Sequence, residues 1–298
     1  MNGVNKPLKL LICVTFHYVT ERLAYLQKIS SHFASLAENV EVVIITNDRA
    51  NASDILSLLA EFNLNIKVIS PFLLGHPYLL TWCHLQVFRE ALLADQSISH
   101  FLYLEDDMCV TAENISYWIE GREKLRKFGL IPSFFRFELC PSTGEAYSTD
   151  ALSKVNFAVI PKVEFQDIEY AYLNLPYPYQ GMYFLDRELM REHLESQSSS
   201  PDFGSWYIRE KAAQGITFLD VPEGFTSRNL IGYRTTLNTI DSRCLVYHTA
   251  NNYVTNPDTP YAKISIADLI FVSPISSSEP LDTVGKRLKR LIRRVKHI

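Results

Sequence analysis

The chain has 298 residues, 47% of them hydrophobic and 21% charged, which supplies a core for one large α/β domain or two small ones and excludes disorder for most of its length. Its formal net charge of -4 argues against a nucleic-acid-binding domain, which would carry a basic surface to neutralise phosphates. Five cysteines, Cys13, Cys83, Cys109, Cys140 and Cys244, are odd in number, lie mostly in apolar runs and lack zinc spacing, so reduced thiols are expected.

The first half alternates strand and helix signals, the mark of βαβ units and a mainly parallel sheet. Leu8 to Thr15 reads as a buried strand, and 21–36 has helical spacing. Val40 to Thr46 reads as a second strand, ending at Asn47-Asp48. Ser53 opens a second helix, and Ile66 to Ile69 reads as a third strand. A turn marked by Pro71, Gly75 and Pro77 leads into a helix over 80–94 and then a strand, Phe101 to Leu104, stopped by acids.

The second half is less regular. Ser133 to Leu139 is a candidate strand and 142–150 a polar loop. The Tyr- and Pro-rich stretch 170–183 reads either as a loop lining a concave site or as packing at a sheet edge. A helix is expected over 206–214, closed by Gly215, and Leu245 to His248 reads as a strand ending in a polar group. Residues 7–272 are expected as one domain and 273–298 as a linker with a basic tail. That tail holds seven Lys and Arg between Lys286 and Lys296, interleaved with Leu288, Leu291, Ile292 and Val295. Two readings fit it: a segment lying on an anionic membrane surface, or a solvated terminal helix. No run reaches the ~18 apolar residues that span a bilayer, and no secretory leader is evident. A cytoplasmic protein is expected, with peripheral contact at the inner membrane face as the further option.

Ligands of open parallel sheets bind beyond the carboxyl ends of the strands, which is where Asn47-Asp48 and Glu105-Asp106-Asp107 fall. A buried strand that delivers three consecutive acids to its end carries a repulsion that a cation relieves, and a diphosphate needs the same cation. In this feature the chain resembles glycosyltransferases of the GT-A type, whose DXD motif ends a central strand. The form Glu105-Asp106-Asp107 looks most like the Glu-Asp-Asp variant of N-acetylglucosaminyltransferase I and its relatives.

The resemblance implies a Rossmann-like α/β fold with a mainly parallel sheet flanked by helices. It also implies transfer of a sugar from a nucleotide-sugar donor, by analogy a UDP-sugar, to a glycan or glycolipid hydroxyl. Asp107 would be the principal ligand of Mn²⁺ or Mg²⁺, with Asp106 beside it, and Glu105 and Asp106 would touch the sugar nucleotide. By position, Phe16 and His17 after the first strand and Asn47 and Asp48 after the second would receive base and ribose. His248 matches the late His that many such enzymes supply as a third ligand, and would favour Mn²⁺. Its other reading is a hydrogen-bonded buried His.

A base that takes the acceptor proton would be an acid at the start of the helix closed by Gly215. Aligned on Trp206, the usual acidic pair falls on Gly204-Ser205, so Asp202 is the candidate, with Glu210 inside the helix as the fallback. Asp202 reads equally as a helix N-cap. A sugar-phosphate nucleotidyltransferase, a dehydrogenase or a P-loop NTPase should carry a glycine-rich loop after the first strand, where this chain has Phe16-His17-Tyr18. A noncatalytic carbohydrate-binding protein on a degenerate GT-A core would be marked by loss of the acidic cluster, which is intact here.

Overall fold

A computed structural model describes residues 6–73 and 76–273. Gly75, the linker beyond Ser273 and the whole basic tail lie outside the described residues.

The elements of the first half follow the buried apolar runs: β1 (Lys9–Phe16), α1 (Leu23–Ser30), β2 (Asn39–Thr46), α2 (Ala52–Leu59), β3 (Asn65–Ile69), α3 (His84–Ala94), β4 (His100–Glu105), β5 (Met108–Cys109) and α4 (Ala112–Leu125). Two expected helices are shorter than the spacing suggests. The 21–36 segment splits into a 3-10 turn, α1 and a second 3-10 turn. There the Ser31 and Ser35 hydroxyls donate to the Lys28 and His32 carbonyls, the local bonding by which serine competes with a helix. Similarly, 80–94 begins as a 3-10 turn over Pro77–Trp82. The helix α4 has no counterpart in the sequence expectation. Thr111 starts it with a capping box, in which the Asn114 side chain accepts the Thr111 N–H at 2.8 Å.

In the second half come β6 (Ile131–Pro132), β7 (Phe135–Leu139), β8 (Ala146–Ser148), β9 (Val155–Asn156), β10 (Lys162–Phe165), β11 (Tyr170–Leu173), β12 (Met182–Asp186), α5 (Arg187–Glu195), α6 (Ile208–Lys211), β13 (Asn229–Arg234), β14 (Thr239–Ile240), β15 (Leu245–His248) and β16 (Ile270–Phe271). The stretch 170–183 is therefore two strands joined by a Pro-Tyr connection, and 142–150 contains β8. Tyr172 and Tyr183 are buried, and these aromatic residues fit a pleated surface better than a loop. The expected helix 206–214 keeps one α-helical turn, α6. The Ala213 and Gln214 N–H groups that follow it bond three residues back, and Gly215 ends the segment at φ 51.

The central sheet has the order β12-β4-β1-β2-β3, with β1, β2, β3 and β4 parallel and β12 antiparallel at the edge. The strand order 3-2-1-4 gives the chain a Rossmann-like α/β half. A second sheet, β5-β15-β7-β8, begins directly beyond β4, because β5 follows β4 after only two residues. Among the described residues no helix is long and apolar enough to cross a membrane.

Candidate metal and nucleotide site

The strand ends are flush. Thr15 pairs with Glu105 and Phe16 with Thr46, so the loops after β1, β2 and β4 open on one edge of the sheet. Asn47 Oδ1 accepts the Tyr18 N–H at 2.7 Å and ties the first two loops together. Asp48 accepts the Ala50 N–H at 2.8 Å and the Asn51 side-chain amide at 2.7 Å, which lowers its pKa and orders the turn into α2. His17 is exposed at this edge. The structure corrects one expectation: Phe16 is fully buried, its ring set edge-on to Tyr18 at 5.9 Å, so it has no face to offer a base. Tyr18, half-buried, is the aromatic residue next to it at the loop.

The three acids at the end of β4 take different partners. Glu105 turns to the Tyr179 hydroxyl, which donates to Oε1 at 3.0 Å. Arg136, buried and held by Asp150 through bonds of 3.0 and 2.6 Å, stacks on Tyr179 at 4.6 Å. A methyl group at Gly181 would sit 3.3 Å from Glu105 Oε2 and 3.4 Å from Arg136 Nη1, and φ there is 65°. Glycine at that position lets the two walls close. Burial first, then the Asp107 charge, raises the Glu105 carboxyl to about 7.

Asp106 is the partner of Arg22, which binds both of its oxygens, one through Nε at 2.7 Å and the other through Nη2. Burial raises its carboxyl to about 6 against that pairing. Asp107 Oδ2 accepts from Arg22 Nη2 at 2.9 Å and faces His248 Nε2 at 3.4 Å. Its Oδ1 is buried without a hydrogen-bond partner among the described residues.

His248 reaches this point because β15 pairs with β5, setting His248 opposite Met108. Behind it, Glu138 is fully buried. Its Oε1 lies 2.6 Å from His248 Nδ1, and its Oε2 accepts the Tyr253 and Val254 N–H groups at 2.9 and 2.6 Å. Glu138 thereby fixes a proton on Nδ1 and aims Nε2 at Asp107, the arrangement by which a carboxylate orients a metal-binding histidine. Two acceptors 3.4 Å apart need a proton or a cation between them. Burial works against the proton, but Asp107 and Glu138 outweigh it and raise His248 to about 9. On the other side, burial would raise Asp107, and His248 with Arg22 instead hold it at about 2.

A carboxylate that faces an oriented imidazole nitrogen through one oxygen and keeps the other orphaned fits a divalent ion. Among the described residues no three His, Cys, Asp or Glu side chains converge on one such point. A site with two protein ligands suits Mg²⁺ or Mn²⁺ held jointly with phosphate oxygens, rather than a closed structural cage.

The candidate bases lie across the edge. Tyr179 meets Trp206 edge-on at 5.1 Å, and Trp82 Nε1 donates to the Ile208 carbonyl at 2.8 Å, so α6 is carried to the Glu105 wall. Glu210 on α6 bonds Arg209 through Oε1 at 2.9 Å and keeps Oε2 buried without a hydrogen-bond partner among the described residues. Asp202 is exposed in a turn six positions before the start of α6, and the N-cap position belongs to Tyr207, so Asp202 does not cap this helix.

Sequence reasoning missed Arg22, Arg136 and Glu138, and held Tyr179 only as part of the 170–183 stretch read as a loop lining a concave site. Arg136 and Glu138 had a signal: both are charged, at alternate positions of an otherwise apolar strand, and alternation places them on one buried face. Arg22 had none, since its partners lie 84 and 85 residues away. No protein-family model and no curated protein matches the chain.

Proposed function

We propose that the chain is a metal-dependent glycosyltransferase of the GT-A type, moving a sugar from a UDP-sugar to a glycan or glycolipid hydroxyl. The observation that carries this reading is the approach of Asp107, one of whose oxygens is buried without a partner among the described residues, to His248, backed by Glu138, at the carboxyl edge of a 3-2-1-4 parallel sheet.

Asp107 and His248 would hold Mn²⁺ or Mg²⁺, and Asn47, Asp48, His17 and Tyr18 frame the edge where base and ribose would lie. The ion would offset charge growing on the leaving nucleoside diphosphate. Glu105, at the wall shared with Tyr179, would accept hydrogen bonds from the donor sugar. Glu210 is the favoured proton acceptor, because its buried Oε2 is unpartnered and α6 stands against that same wall, whereas Asp202 lies in an exposed turn. The glycolipid option rests on the basic tail of the sequence. Deleting residues 284–298 should abolish membrane partitioning, and unchanged partitioning would remove that option.

The test is calorimetric binding of a nucleotide and nucleotide-sugar panel, with and without Mn²⁺, to the wild type and Asp107→Asn. One diphosphonucleoside should bind in a metal-dependent manner and the variant should lose this response. If no nucleotide binds under any metal condition, a noncatalytic carbohydrate-binding role replaces this reading.

A further inference from the structure

We propose that Arg22 is a displaceable counter-ion that makes the binding of a divalent cation and of a nucleoside diphosphate interdependent. This rests on the metal site proposed above. Arg22 Nη2 shares Asp107 Oδ2 with His248 and also touches Asp106, so the guanidinium closes one side of the gap a cation would enter. The remaining Asp107 oxygen, Oδ1, is buried and unsatisfied.

Arg22 ends a three-residue 3-10 turn, and its side chain is one-third exposed, lying 5.6 Å from the Tyr25 ring centroid. A path toward solvent is therefore open to it. The carboxylate group that it grips most fully, Asp106, is not the one facing His248. An ion on Asp107 would stand one carboxylate away from the guanidinium, and two cations at that separation repel.

A diphosphate removes the conflict by placing oxygens against both charges. The planar fork that grips Asp106 is equally matched to phosphate. Arg22 thus opposes the metal when it comes alone and assists it when it arrives with a diphosphate. Each ligand raises the affinity of the other through this one side chain.

The experiment measures Mn²⁺ alone by the paramagnetic resonance of the free ion, and UDP with and without Mn²⁺ by calorimetry, on the wild type, Arg22→Gln, Arg22→Lys and Asp107→Asn. In Arg22→Gln, Mn²⁺ alone should bind about tenfold more tightly, UDP with Mn²⁺ should bind more weakly, and the mutual enhancement should fall toward one. Arg22→Lys keeps the charge and loses the fork. It should leave Mn²⁺ alone near the wild-type affinity while still weakening UDP, and it serves if Arg22→Gln does not fold. Unchanged or weaker Mn²⁺ binding in Arg22→Gln, with metal-dependent UDP binding intact in the wild type, overturns the counter-ion role alone. Absence of both Mn²⁺ and UDP binding in the wild type overturns the metal site, and this proposal with it.

Discussion

Glu105 and Asp107 leave the same strand end two residues apart, yet their surroundings drive them in opposite directions. The Glu105 wall is built of Tyr179, Arg136 and Gly181, and burial there lifts the carboxyl to about 7. The Asp107 wall is built of His248 and Arg22, whose charges overcome burial and hold the carboxyl at about 2. A single strand supports both: β7 sends Arg136 to the first wall and Glu138 to the second. An acidic motif in sequence is thus three chemically different groups, separated by what the second sheet places against them.

The comparison breaks most severely if the shared support of the Glu105 wall is removed. Arg136→Ala would leave the mostly covered Asp150 without its bidentate partner and strip the cation from Tyr179. Removing one partner of a buried pair costs about 3–5 kcal/mol. Urea unfolding should show that loss. A loss below about 1 kcal/mol, the scale of an exposed pair, would mean the Arg136–Asp150 pair contributes no more than a surface contact.

On the other wall the corresponding change acts on binding. Glu138→Gln keeps the volume but removes the charge that orients His248, and such second partners are worth about 10–100-fold in metal affinity. Mn²⁺ affinity in the presence of UDP should fall by that factor, whereas Glu105→Gln should leave it within about threefold, the spread of ordinary context effects. Equal losses in the two variants would erase the division between the walls.

The parallel half was legible because buried parallel strands are unbroken apolar runs, so Leu8 to Thr15, Val40 to Thr46 and Phe101 to Leu104 could be recognised without tertiary knowledge. Their ends located Asn47, Asp48 and the three acids. In the second half β7 and β15 were legible as apolar runs, but the sheet holding β11 and β13 was not, because it is made by pairing between segments about 60 residues apart, in the register Ala171 to Tyr233. Tyr170–Leu173 carries no period that separates a strand from a tyrosine-rich loop. The same limit hid Arg22: a charge partner distant in sequence leaves no spacing to read. His248 was found from its place at a strand end, while the carboxylate that orients it could have been found only by asking why β7 buries two charges on one face.

The contrast also predicts a pH dependence in the metal-free protein. The unfolded Glu105 carboxyl titrates near 4.5 and the folded one at about 7, so the folded state binds the proton more tightly. The resulting stabilisation is complete below about 4.5 and is lost as the pH rises through 7. Glu105→Gln mimics the protonated form at every pH. Because Glu105 keeps some exposure, the variant should be more stable than the wild type by about 1–2 kcal/mol at pH 8 and match it only at about pH 4. Urea unfolding in EDTA at both values checks this, and a variant that is less stable at pH 8 would show that Arg136 already neutralises the site.

The smallest change sharpens the same point. Tyr179→Phe removes one hydroxyl, the donor to Glu105 Oε1 at 3.0 Å, and leaves the ring on which Arg136 stacks. A hydrogen bond to a carboxylate favours its charged form, so losing it should raise the Glu105 carboxyl further above 7. Stability at pH 8 should fall by about 1 kcal/mol, and at pH 5, where Glu105 is protonated, by less. The carbon-13 shift of the Glu105 carboxyl, followed through a pH titration, reads the pKa directly. A midpoint that does not move would mean that burial and the neighbouring charges set the first wall and that the Tyr179 hydroxyl only fills space. A midpoint that rises while Mn²⁺ binding stays constant would establish that the Tyr179 hydroxyl tunes the first wall without reaching the second.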